Sequence, residues 1–279
     1  MDSLTILNSL QESIFKPDVS DFKDSLLEYS ELALDSVMDD GLLKDIPILG
    51  TIASLCKTGV NIHDRHMLKQ TALFLVSVND GTIATETLLE HKLLIENNPK
   101  KGEAELSRVL LLISRSTEQI QAIILGSFYK AYINGLITWG KFCELTEANN
   151  RMFLDDYELL RLFYEHSLSQ RMIPDDTIAQ AQRLVSLGLL IQNHTEATVS
   201  DQTLNIGLDI PFTISSFGKL FVDLLPEEMK KYPYVLLNIV HCFLQNIFLS
   251  LKMRLPFLLG YCFECFRFIA QLFAIGLIF

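Results

Sequence analysis

A chain of 279 residues with 49% hydrophobic content has ample material for one or two packed domains. Its net charge of −11 argues against sequence-independent nucleic-acid binding, which needs clustered Lys and Arg to displace counterions. Five scattered cysteines do not make a secreted disulfide framework, and the start, MDSLTILNSLQES, lacks the basic flank and apolar core of a cleaved signal peptide.

Residues 4–15 set Leu4, Leu7, Leu10 and Ile14 on one face, predicting a short amphipathic helix that stops before Pro17. A second helix is expected from Ser20, a candidate N-cap, to Gly41, with Phe22, Leu26, Tyr29, Ala33 and Val37 as its core stripe. Next comes GLLKDIPILGTIASLCKTGVNIHDRHMLKQTALFLVSV, the most unusual stretch before residue 234. Pro47 suits a first helical position, and Gly50, Ala53, Ser54 and Gly59 offer small faces for close helix packing. Ile46–Val60 therefore predicts a central buried helix; with Lys57 inside fifteen residues it is too short to cross a bilayer with ease. His63, Asp64 and His66 include metal-ligating types, but no third ligand stands at a helical H-E-x-x-H spacing, so no metal is assigned.

Asn79-Asp80-Gly81 reads as a turn, followed by a helix over Thr85–Glu96. Asn98-Pro99 starts another, with Leu106, Val109, Leu110 and Ile113 toward a core, and Thr117-Glu118 begins the next. YINGLITWGKFCEL resembles the second half of an EF-hand. With Gly135 as the turn glycine, however, the calcium-ligand positions hold Lys130, Tyr132, Asn134 and Lys141, so calcium is rejected. What remains is a loop, a Thr138 cap and a helix packing Trp139, Phe142 and Leu145 inward, then a helix opened by Asp155-Asp156. Residues 1–170 thus form a helical bundle joined by short loops.

A second unit spans 171–230. A helix capped near Asp175–Thr177 ends at Gly188, extended runs LLIQN and TLNIGLDI flank a polar interval, and TISSFGKLFVDLL closes the unit as a helix capped by Ser215 or Ser216. That order matches the C-terminal half of a winged helix. Its presumed recognition helix carries one basic residue, Arg183, which makes nucleic acid an unlikely partner and protein docking the better one. The fold class expected is mainly α: a helical bundle, a small winged-helix-like α/β unit and an apolar helical tail.

That tail, 234–279, holds eight of the 18 phenylalanines and only three basic and one acidic residue, leaving 1–233 with 20 basic against 33 acidic, a net −13. Asn238, His241, Gln245 and Lys252 recur on one helical stripe, and Glu264, Arg267 and Gln271 on another. Polar stripes in hydrocarbon must face each other, protein or water, so the expectation is a transmembrane hairpin or single span on a lipid bilayer, with a cytoplasmic body and scope for self-association. A docking face for another protein, or a non-native extension from a frame slip through T-rich DNA, would give similar composition. His241, Cys242, Cys262 and Cys265 are soft ligands but only half of a paired zinc motif. No catalytic motif is present: G-x-S-x-G, P-loop, G-x-G-x-x-G and H-E-x-x-H are all missing, no cofactor is implied, and the acidic pairs sit at predicted helix boundaries.

GLLKDIPILGTIASLCKTGVNIHDR, taken with the later RLVSLGLL and ISSFGKLF, resembles bacterial proteins of the abortive-infection alpha type over residues 31–225. The resemblance implies a helical body with a winged-helix-like end and a non-enzymatic role in phage defence.

Overall fold

The computed structural model describes residues 3–15, 46–55, 62–165, 175–192, 212–227 and 229. The expected helix over 20–41 and the strand over 203–210 lie outside them, as do Gly59 and all of 234–279. The chain divides into two units, Met1–Lys231 and Tyr232–Phe279, and the described residues all belong to the first. Its described residues are mainly helical, with ten helices and one two-stranded sheet.

Helix α1 (Ser3–Ile14) buries Leu7, Leu10 and Ile14, while Leu4, expected on that face, is exposed because it precedes the first packed turn. Ser13 of α1 caps α2 (Pro47–Leu55) across the gap between them: Ile48 N–H donates to its Oγ at 3.0 Å, satisfying one of the orphan donors of a helix start. The sequence placed a central buried helix over 46–60. Residues 56–60 lie outside the described residues, and among its described side chains α2 buries Ile48, Leu49 and Ile52, on one face. The centre falls to α3 (Ile62–Val78), in which every residue from Gln70 to Val78 is buried. A helix buried all round needs apolar residues on every face, and TALFLVSV supplies them.

The partner of α3 is α6 (Gln119–Ile133). Gly126 makes their approach possible: a Cβ there would lie 2.6 Å from Ser77 Cβ and 2.8 Å from the Phe74 carbonyl oxygen. The Ser77 hydroxyl donates to Ile123 O at 2.8 Å across the same seam. Around this pair stand α4 (Thr85–Asn97) and α5 (Pro99–Arg115), entered through an Asn98 cap whose Oδ1 accepts from Lys101 N–H at 3.4 Å. In α5 the buried stripe is Gly102, Glu105, Leu106, Val109, Leu112 and Ile113, so Leu112 takes the place expected of Leu110.

Gly135, at φ 69°, turns the chain after α6 in the left-handed region that favours glycine, and the Thr138 hydroxyl then caps α7 (Trp139–Asn149) by accepting from Lys141 N–H at 3.2 Å. Phe142 and Leu145 are fully buried and Trp139 stacks on Phe142 at 5.0 Å. Helix α8 (Leu154–Tyr164) follows, then α9 (Asp175–Ser186), ended by Gly188 at φ 75°.

Strand β1 (Leu190–Gln192) pairs antiparallel with β2 (Phe212–Ile214), Leu190 opposite Ile214 and Gln192 opposite Phe212. The sequence put the cap of the last helix at Ser215 or Ser216, within the run TISSFGKLFVDLL that opens with Thr213 and Ile214. Those two are strand, and Ser215 is the cap: α10 (Ser216–Asp223) follows it, and the Ser215 Oγ accepts from Gly218 N–H at 2.8 Å. Two three-residue strands are marginal by themselves. They hold because β1 follows α9 closely and β2 rests on α8, with Phe212 edge-on to Phe163. Helix α10 is pinned to the bundle's centre: Phe221 meets Phe128 edge-on at 5.1 Å, and Ser127 Oγ donates to Leu224 O at 2.7 Å.

Candidate functional site

The most concentrated polar chemistry in the described bundle is a carboxylate in its interior. Glu105, on the buried stripe of α5, is 5% exposed. His91 reaches it from α4 and Tyr129 and Tyr132 from α6. His91 Nε2 stands 2.8 Å from Oε1, Tyr129 OH donates to Oε1 at 2.9 Å, and Tyr132 OH donates to Oε2 at 3.0 Å. A carboxylate only accepts, so His91 Nε2 carries the proton in this contact. Phe15, Phe74, Trp139 and Phe142 surround the group with ring contacts. A cleft of about 110 Å³ opens beside it, lined by His91, Ile95, Asn98, Lys101, Glu105 and Tyr132 among others.

Electrostatics make this group a clasp. Burial raises the Glu105 pKa, but the hydrogen bond and charge of His91, then the two phenols, outweigh it and hold the carboxyl below its ordinary value. Burial first and the neighbouring carboxylate second push both tyrosines up. A depressed carboxylate with three donors is a poor proton acceptor, and raised phenols are poor nucleophiles. What the arrangement does is lock α4, α5 and α6 together.

The linkage has a definite sign. A carboxyl whose folded pKa is depressed stabilises the fold above its ordinary value near 4.5 and loses that contribution as pH falls through the lower folded value. Glu105→Gln is therefore expected to cost about 2 kcal/mol at neutral pH and to flatten the acid limb of stability. Urea unfolding between about pH 6 and pH 3 checks it; an acid limb as steep as the parent's would refute the assignment. Asp80, also held low against burial by Lys130 and Thr82, keeps part of the limb in either case.

A second buried network ties α6, α7 and α8. Gln121 Nε2 donates to Asn149 O and Met152 O, Asn149 Nδ2 donates to Gln121 O, and Tyr157 OH donates to Asn149 Oδ1. Next to it Asp156, 0% exposed, accepts from Phe153 N–H at 2.8 Å and from Nε and Nη2 of the Arg183 guanidinium, at 2.8 and 2.6 Å. Arg183 also lies over the Phe153 ring at 4.6 Å. The one basic residue of α9 is thus paired with a buried acid, its side chain 31% exposed.

Gly50 and Ala53 are half-buried and Ser54 is exposed, its hydroxyl bonded to Thr51 O. The tight glycine contact between the two central helices is at Gly126. His66 Nε2 meets Ser116 O at 2.7 Å, and His63 is exposed. Among the described residues no three metal-ligating side chains gather, and no helix is long and apolar enough to cross a membrane. Asn238, His241, Gln245, Lys252, Glu264, Arg267 and Gln271 lie outside the described residues.

Glu105 was missed because an acid beside Leu106 reads as surface. The signal was there: Gly102 and Glu105 extend the stripe of Leu106, Val109 and Leu112 by one turn at the same spacing. The fold and its polar clasps define a mainly α-helical protein. No protein-family model, curated protein or solved structure matches the chain.

Proposed function

We propose that the chain is a non-enzymatic, membrane-attached helical protein that, by its resemblance to the abortive-infection alpha type, acts in phage defence. The observation that carries this reading is the composition of 234–279, forty-six residues with four charges in a chain otherwise rich in acids. An acidic body gives little attraction to anionic lipid, so attachment comes from apolar insertion. The buried polar groups of the body support a non-enzymatic role, since each of the two networks is committed to joining helices.

Flotation on lipid vesicles tests it. The complete chain is expected to float with lipid, and a version ending at Lys231 to stay in the soluble fraction. Equal recovery of both in the soluble fraction without detergent would overturn the reading.

A second reading has its own observation. With Arg183 held by Asp156, the α9–β1–β2–α10 arrangement has lost the one cation its presumed recognition helix offered to nucleic acid, which suits a winged-helix-like unit that docks protein.

A further inference from the structure

Against the acidic background of the body, one patch runs the other way. Three arginines converge on Glu147 of α7. Arg151 Nη2 donates to its Oε1 at 2.9 Å, while Arg108 Nη2 and Arg115 Nη1 stand 3.7 and 3.8 Å from its Oε2. The last two distances exceed hydrogen-bond reach, so both guanidiniums lean on one oxygen without being bonded to it. Arg108 and Arg115 sit two turns apart on one face of α5, with Leu111 between them, 42% exposed. The nearest acid in sequence on α7, Glu144, is taken by Lys141 at 2.5 Å. Asn150, beside Arg151 in the chain, has both side-chain polar atoms buried and without a partner.

Three planar cations around one carboxylate exceed it by two positive charges; Arg108 also hydrogen-bonds the Cys143 side chain, while Arg115 and Arg151 keep half or more of their side-chain surface exposed. Guanidiniums so placed match the oxygens of a tetrahedral anion better than lysines would. We infer that Arg108, Arg115 and Arg151 form a binding site for a phosphate group, the chemistry shared by a free phosphate ester and a phospholipid headgroup. Glu147 holds the guanidiniums in register and competes with the anion for them. The site belongs to the helical body and goes beyond the membrane reading, because it stands whether or not 234–279 enters lipid.

The test uses the complete chain in non-ionic detergent, titrated calorimetrically with inorganic phosphate at fixed ionic strength against a chloride control. Saturable binding is expected, weakened about tenfold or more in Arg108→Gln/Arg115→Gln and tightened in Glu147→Gln, which removes the competitor. A purely structural ion pair would show no tightening, and circular dichroism melting confirms that each variant is folded.

Vesicles of phosphatidylcholine, with and without phosphatidic acid, separate the sources. A headgroup ligand makes association depend on phosphatidic acid and on the two arginines. A free ester leaves vesicle association indifferent to phosphatidic acid while inorganic phosphate still binds. If inorganic phosphate does not saturate and phosphatidic acid has no effect, or if the double variant binds like the parent, the site is refuted.

Discussion

Gly126→Leu is expected to lower stability by about 3 kcal/mol, because it forces a side chain into the seam between the two central helices. Even the first added carbon would stand 2.6 Å from Ser77 Cβ and 2.8 Å from the Phe74 carbonyl oxygen. One of those atoms is backbone in a helix buried on every side, so relief requires α3 and α6 to separate. Separation would stretch the Ser77 to Ile123 hydrogen bond and loosen the contact of Phe74 with Tyr129, which brings the Glu105 clasp into the damage. Gly140→Ala is the internal control. Its added carbon meets nothing closer than Thr138 Oγ1 at 4.0 Å, and alanine favours a helix, so a gain of up to about 1 kcal/mol is expected. Denaturant unfolding of the two variants side by side decides the matter; equal effects would mean that the close approach of α3 and α6 does not govern packing.

Asp156→Ala is expected to cost about 3 kcal/mol, near the lower end for a broken buried ion pair because the Arg183 side chain keeps 31% exposure. Three donors lose their acceptor together: the Nε and Nη2 of Arg183 and the Phe153 N–H that starts α8. Arg183→Met alone should cost at least as much, since it leaves a fully buried carboxylate with the Phe153 N–H but without its cation. The informative quantity is the coupling between them. In the Arg183→Met background the further loss of Asp156 is expected to cost at least about 1 kcal/mol less than in the parent. Identical costs in both backgrounds would show that the pair is incidental to how α9 is held.

Local chemistry made much of this architecture readable. The Asn98 and Thr138 caps, the turn at Gly135 and the helix breaks at Gly81 and Gly188 each follow from one residue's backbone or hydrogen-bonding preference, and the structure has them where the sequence implies. Harder to read was anything decided by the other side of a contact. Helix α3 opens with His63-Asp64-Arg65-His66, which disguises the most buried helix among those described, while the more apolar PILGTIASL lies at the side with one face packed.

Asp156 looked like an ordinary acid near a helix start; its burial depends on Arg183 arriving from 27 residues away. Phe212–Ile214 is too short to carry a period of its own, and only pairing with Leu190–Gln192 makes it a strand. The candidate site was the least legible part, because Glu105, His91 and the two tyrosines come from three helices and no local pattern links them.

The anchoring of α10 on α6 has a consequence for how the polypeptide can be cut. Phe128 and Ser127 wait for partners that the ribosome delivers more than ninety residues later. A nascent or truncated product lacking Phe221 would present a bare aromatic ring at its heart, and an isolated piece beginning near residue 171 would present the matching one. Neither piece carries both rings of this contact; the two meet only once α10 is made.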